Sequence, residues 1–196
     1  MPKRRSIVMI LFGILLSVAS IALFVHDAEY IFTGKTVNLN EILENGGELP
    51  RDKYVTYTCE FPLGNYAETQ QYYGFIPLPF KTQQYAMLDD SGIVLSAEIK
   101  NSNSKIEEMD KAIDEFWDDD AEVSVTLTGC LTITAAGMDE YLEEYMNYLF
   151  DDDLESYDIF LTSYQIDTTR TRATQFIVEV LVLAIGVFLI IVQVRK

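Results

Sequence analysis

IVMILFGILLSVASIALFV (Ile7–Val25) and FIVEVLVLAIGVFLIIVQV (Phe176–Val194) decide the layout of this chain. Each run has 19 residues, and Glu179 is the only formally charged member of either. At about 1.5 Å of rise per residue, a helix of that length crosses the roughly 30 Å hydrocarbon core of a bilayer. Both runs therefore read as transmembrane helices, and the segment 27–175 between them reads as one domain with its own core.

Basic residues flank the runs on the sides away from that domain. Lys3, Arg4 and Arg5 precede the first, and Arg195 and Lys196 follow the second. Positive flanks stay cytoplasmic, so residues 1–6 and 195–196 are expected to be cytoplasmic tails and 27–175 to be extracytoplasmic. A basic start before an apolar run also describes a secretory signal, with Ser17-Val18-Ala19 as small residues for cleavage. The run continues past that point to Val25, which favours a retained anchor; cleavage would leave the second span and the same exported domain.

The domain carries 9 Lys and Arg against 30 Asp and Glu, a net −21, while the whole chain stands at −17. That charge repels nucleic acid and anionic headgroups alike, so no polynucleotide partner is expected. The expected partners are the bilayer and a protein in the membrane or envelope. Two cysteines and one histidine cannot build a four-ligand zinc site or a disulfide scaffold, and no cofactor is expected. No Asn-x-Ser/Thr triplet occurs, which fits a bacterial envelope protein in the plasma membrane.

Within the domain, Asn38 before Glu41 and a Gly46-Gly47 stop predict a short helix over Leu39–Asn45. Tyr54–Phe61 alternates apolar and polar as a half-buried strand, and Pro62 and Gly64 are expected to end it. Gln70–Leu78, broken by Gly74, Pro77 and Pro79, reads as an edge strand or extended loop. Gln83–Leu88 and Ile93–Ile99 flank Asp89-Asp90-Ser91-Gly92 as a hairpin. Ser104 to Glu107 is a capping box that opens an amphipathic helix through Trp117. Strand alternation returns over Val123–Ile133, where Gly129 suggests a bulge. A second amphipathic helix over Met138–Phe150 and a last strand over Tyr157–Ile166 complete the domain.

That order, with a helix after the third strand and a glycine-interrupted fourth strand (Val123 to Gly129), resembles the oligonucleotide/oligosaccharide-binding barrel, the OB-fold. The resemblance covers Tyr54–Ile166, with Met138–Phe150 as an insertion. The expected class is α+β: a five- to six-stranded OB-like barrel or sheet with two amphipathic helices, set between two transmembrane helices. A sandwich with both helices on one sheet face is the alternative. The two-span layout also resembles uncharacterised bacterial membrane families, from which no activity carries over. OB-folds hold nucleic acid with aromatic and basic residues; this domain has the aromatics and the opposite charge.

Candidate chemistry is thin. His26 lies at a membrane edge, away from any nucleophile, so no catalytic residue is assigned and no enzyme is expected. Asp118, Asp119 and Asp120 follow one helix and Asp151, Asp152 and Asp153 follow the other, as metal candidates for a divalent cation; a solvated acidic surface is the plainer reading. Tyr66, Tyr72, Tyr73 and Phe75 could line a sugar or peptide groove, or simply fill sheet faces. His26 and Glu179 come to similar depth in an antiparallel hairpin, as a proton-sensitive contact or as a glutamate that snorkels to the interface. Small residues at Gly13, Ser17, Ser20, Ala184 and Gly186 suit close packing of the two spans. Cys59 and Cys130, on strands that neighbour one another in an OB-like barrel, are disulfide candidates. The expected function is a membrane-anchored extracytoplasmic binding module of the bacterial envelope. The alternatives are a sensor or transport accessory that takes a divalent cation or saccharide, and an envelope hydrolase.

Overall fold

The computed structural model of the protein describes residues 2–73, 76–101, 104–118, 121–151 and 153–194. The chain divides into two compact units, Met1–Lys35 with Arg170–Lys196, and Thr36–Thr169.

The first unit is a helical hairpin of α1 (Pro2–Thr33), here numbered in chain order, and the last helix, α5 (Arg172–Val194). Ile7–Thr33 and Arg172–Val194 are each long and apolar enough to span a membrane. α1 runs eight residues past Val25 and stops where Gly34 turns left-handed, at φ 69°. α5 likewise begins before Phe176, taking in Arg172–Gln175. The helices are antiparallel and meet at small residues. A Cβ on Gly186 would sit 2.9 Å from the Gly13 carbonyl, so the two backbones touch at this point. Ser20 Oγ donates to the Glu179 carbonyl at 2.7 Å, and Arg172 closes the far end by donating to the carbonyls of Ile31 and Phe32 at 2.9 and 3.0 Å. Those two carbonyls have no partner within α1, so the guanidinium acts as a C-terminal cap from the neighbouring helix. Ala184 points away from the contact.

The second unit is mixed α and β. Its strands are β1 (Val37–Asn38), β2 (Tyr54–Cys59), β3 (Phe61–Tyr73), β4 (Ile76–Leu88), β5 (Ile93–Lys100), β6 (Val125–Ile133) and β7 (Phe160–Asp167). The helices are α2 (Leu39–Glu44), α3 (Lys105–Asp118) and α4 (Met138–Leu149). All seven strands form one open sheet in the order β1-β2-β6-β7-β5-β4-β3, antiparallel except for β1 with β2 and β5 with β7. Of the expected barrel or sheet of five or six strands, the α+β class holds, the sheet is open rather than closed, and it has seven strands. Val37–Asn38 adds an unforeseen parallel edge strand beside β2, and β3 pairs only with β4.

The sheet is nonetheless strongly curled. β2 and β3 lie five ladder steps apart, about 24 Å in a flat sheet, yet only Glu60 separates them, a reach of about 7 Å. Only rolling the sheet brings them together.

Pro62 and Gly64 do not end the strand that contains them. β3 is an edge strand, so a missing N–H at Pro62 costs no second ladder, and Gly64 sits at a register shift. Pro77 and Pro79 are tolerated because β4 pairs with β5 only over Thr82–Leu88 and has one neighbour before that. Gly129 makes no bulge: β2 and β6 pair in unbroken register from Tyr54–Cys130 to Cys59–Val125. The last strand starts at Phe160 rather than Tyr157, because Leu154–Tyr157 forms a 3-10 turn.

Alternation along β5 divides the interior in two. Leu95, Ala97 and Ile99 join Tyr57, Met87, Leu127 and Ile166 in the main core, which Ile106 and Met109 of α3 complete. Val94, on the opposite face, joins Leu63, Ala86, Leu142 and Met146 beneath α4. Both helices also grip β3 at one point: Trp117 Nε1 and Tyr145 Oη donate to the Leu63 carbonyl at 2.9 and 3.1 Å.

Candidate functional site

Where β2 bends into β3, the sheet unit is concave. Two adjoining cavities, about 300 and 390 Å³, share Phe61, Leu88, Asp89 and Asp90 as a common wall. The bend carries Glu60 and Phe61, the β4–β5 turn carries Asp89 and Asp90, and α2 contributes Asn40 and Glu44. On the far side stand Phe150, Tyr157 and Asp158. The groove is built by local chemistry that its sequence encodes. Asn40 clamps Thr58 in both directions, donating to its carbonyl and accepting its N–H, each at 2.8 Å. Asp89 is 7% exposed and accepts the Ser91 N–H at 2.8 Å and the Ser91 hydroxyl, a side-chain closure of the tight turn. Gly92, at φ 80°, lets that turn pack against the Asp158 carbonyl, and Phe160 donates its N–H to the Gly92 carbonyl at 2.8 Å.

Five acidic residues (Glu44, Glu60, Asp89, Asp90 and Asp158) line this groove with the rings of Phe61, Phe150 and Tyr157, while Tyr57 lies behind it in the main core. No Lys, Arg or His is among the described lining residues. Phe150 and Tyr157 pack against each other, centroids 5.3 Å apart, and Phe61 packs edge-on against Phe116 at 6.0 Å. Burial pushes the Tyr57 phenol well above its usual range, with the nearby acids adding to the shift, so it stays neutral. An anionic rim over aromatic walls suits a cation with an apolar body, because the ring faces and the carboxylates attract the same charge.

The residues singled out from sequence lie elsewhere. Tyr66 is not a groove wall: its hydroxyl meets Ser96 Oγ at 3.0 Å, its ring leans on Tyr145, and burial raises its phenol. Tyr72 and Tyr73 pair through the backbone with Pro77 and Ile76 near the β3–β4 hairpin tip, and Phe75 lies outside the described residues. Asp118 ends α3 and Asp151 and Asp153 follow α4, all three exposed; Asp119, Asp120 and Asp152 lie outside the described residues. Among the described residues no three acidic, histidine or cysteine side chains are grouped to hold a metal ion.

The Cys59–Cys130 bridge is also corrected. Neither cysteine is in a disulfide and both are buried; the β2–β6 register sets Cys59 opposite Val125 and Cys130 opposite Tyr54. Five residues of offset is about 17 Å along a strand, far beyond disulfide reach. Burial pushes the Cys59 thiol up to about 12.

In the helical unit, His26 and Glu179 are not direct partners. His26 Nδ1 stands 2.7 Å from Asp27 Oδ1, while Glu179 is 4% exposed, turned toward α1 rather than snorkelling outward. Asp27 is the residue sequence reasoning missed. It lies just past the apolar run, where an acid looks like ordinary flank.

A family model described as a domain of unknown function (DUF8577) matches residues 2–195, both apolar helices and the sheet unit together. The chain belongs to that family. No curated protein and no solved structure matches it.

Proposed function

We propose that this is a two-span protein of the bacterial plasma membrane, with both termini cytoplasmic and an extracytoplasmic sheet unit that binds a basic protein segment from the membrane or envelope. The observation that carries the reading is the groove at the β2–β3 bend, where five acidic residues and three aromatic rings converge with no described cation among them. Lys or Arg side chains of a partner would bring the missing charge, and their methylene stems would lie on the rings. The net −21 of residues 27–175 supports this choice, since it steers cationic partners in and keeps polyanions out. The reading is one of binding and not of catalysis.

An OB-like architecture for the sheet unit is part of the proposal. It is supported by β2 and β3 acting as one bent strand that serves both ends of β2-β6-β7-β5-β4-β3, by the parallel β5–β7 pair, and by α3 between β5 and β6.

The test uses the full chain in lipid nanodiscs, titrated with a Lys- and Arg-rich peptide and with its Glu-substituted counterpart. The basic peptide is expected to bind, to weaken as salt rises, and to lose most of its affinity in the E60K/D90K variant. Equal binding by the charge-reversed variant removes the groove from the proposal. Protease added to intact cells is expected to cut within 36–169; protection of that segment refutes the orientation.

A further inference from the structure

The β3–β4 hairpin outgrows the sheet it belongs to. β4 pairs with β5 only over Thr82–Leu88, so among the described strands Ile76–Lys81 has β3 as its one neighbour. This overhang lies at the end of the sheet where the chain leaves for α5. β5 and β7 run parallel; Asp167, the last residue of β7, stands opposite Glu98, and Glu98 stands opposite Gln84 of β4. Ile76 is eight residues beyond Gln84, so the paired arm ends about 25 Å past the level at which β7 stops. Covalent reach gives the distance to compare. Five Cα steps join Asp167 to Arg172, at most about 18 Å, and one helical turn of about 6 Å separates Arg172 from Phe176, where the apolar run begins. The start of the apolar run is thus no more than about 24 Å from the end of β7, and the arm is as long as that tether.

The composition of the arm changes at its base. Glu68 and Lys81 form an ion pair across the two strands, and Asn101 donates to Glu68 at 3.3 Å. Beyond that polar belt, Thr69–Phe80 holds no charged residue, in a segment whose net charge is −21. Tyr72, Tyr73, Ile76, Leu78 and Phe80 make it apolar and aromatic, and Pro77 and Pro79 carry no backbone N–H to be stripped of water.

We propose that the β3–β4 arm is a third membrane contact, which enters the outer headgroup and acyl boundary of the bilayer. The body of the sheet unit is held off anionic headgroups by its charge, whereas the uncharged arm is free to approach. Tyrosine suits that boundary, with an apolar ring for the acyl side and a hydroxyl for the wet side. The Glu68–Lys81 pair at the base stays in water and limits the depth. The inference rests on the two-span reading and is independent of the groove.

The test places a tryptophan on the arm. Y73W in the full chain is reconstituted into phosphatidylcholine nanodiscs with and without bromine on the acyl chains, bromine being a contact quencher. Wild type, whose one tryptophan is Trp117 in α3, supplies the background. The added indole is expected to emit at shorter wavelength than an indole in water and to lose most of its emission in brominated lipid. Y73W/I76D/L78D, with two charges on the arm, is expected to show neither effect. F176W is the control for the spans. Quenching of F176W with none in Y73W overturns the arm contact alone; no quenching in either overturns the two-span reading and the arm contact with it. A blue-shifted but unquenched Y73W overturns the contact in favour of an arm covered by protein, such as a second copy of this chain. Quenching that survives I76D/L78D overturns apolar insertion as its cause.

Discussion

Replacing Gly129 with alanine places a methyl group where the backbone of β7 already lies. The new Cβ would stand 2.5 Å from the Asp167 carbonyl oxygen, 2.8 Å from its carbon and 2.9 Å from Ile166 Cγ2. Ordinary carbon contacts are about 3.5–4.0 Å, so something must move by about 1 Å. Little can. β6 is held on one side by Val55 opposite Gly129, and on the other by the Cys130–Asp167 and Leu131–Ile166 pairs. Overpacking of this kind costs about 1–3 kcal/mol, and backbone on the receiving side puts the value toward the upper end. The stiffer unfolded chain returns about 0.4–1 kcal/mol, for a net loss of about 1–2 kcal/mol. For a domain of this size that is a fall of about 3–10 °C in Tm. The assay is a far-UV circular dichroism melt of the full chain in detergent, with G129V expected to melt lower still. Gly137 is the control, with φ 86° and nothing within 4 Å of an added Cβ, so G137N should be near neutral because Asn accepts left-handed backbone. If G129A melts at or above wild type, the close approach of β7 is not the reason for glycine at this position.

Three other outcomes are expected. Native protein should resist thiol alkylation at pH 8, since both cysteines are buried and the Cys59 thiol is pushed up to about 12; denaturation without reductant should expose two thiols. Glu68, hydrogen-bonded to Lys81 and Asn101, should titrate by NMR below the usual Glu range and return toward it in K81M. Because its folded value is depressed, its small contribution to stability is present above the ordinary Glu range and is lost as pH falls through the folded value. G186L should drive α1 and α5 apart, because even a Cβ at that position comes 2.5 Å from Ser17 Oγ; energy transfer between labels at the two chain ends should fall, with G186A intermediate.

The elements were legible wherever one residue pattern has one physical outcome. Two apolar runs of 19 residues, with Glu179 their one formal charge, read as spans, and both are helices long enough and apolar enough to cross a membrane. The capping box at Ser104 opens α3, and the Asp89–Gly92 turn joins β4 to β5. Errors arose where the meaning of a residue depends on its neighbours in space. Pro62 and Gly64 look like strand ends until β3 is seen to be an edge. Gly129 looks like a bulge until β7 is laid against it. Cys59 and Cys130 look like a bridge until the register sets them five residues apart. The groove was missed because its walls are scattered from Asn38 to Ile159, and because its acids resemble the rest of a strongly acidic chain.

Composition, apolar run length and local periodicity belong to the sequence alone, because the forces behind them act within a few residues or on a whole segment at once. They determined two membrane-length helices, an anionic domain between them, and the alternation of strands and amphipathic helices. Strand order, register and the burial of Glu179 against α1 required the folded chain, because each depends on segments far apart in sequence. Which acid is solvated and which is buried is set by what packs against it, and no stretch of chain carries that information by itself.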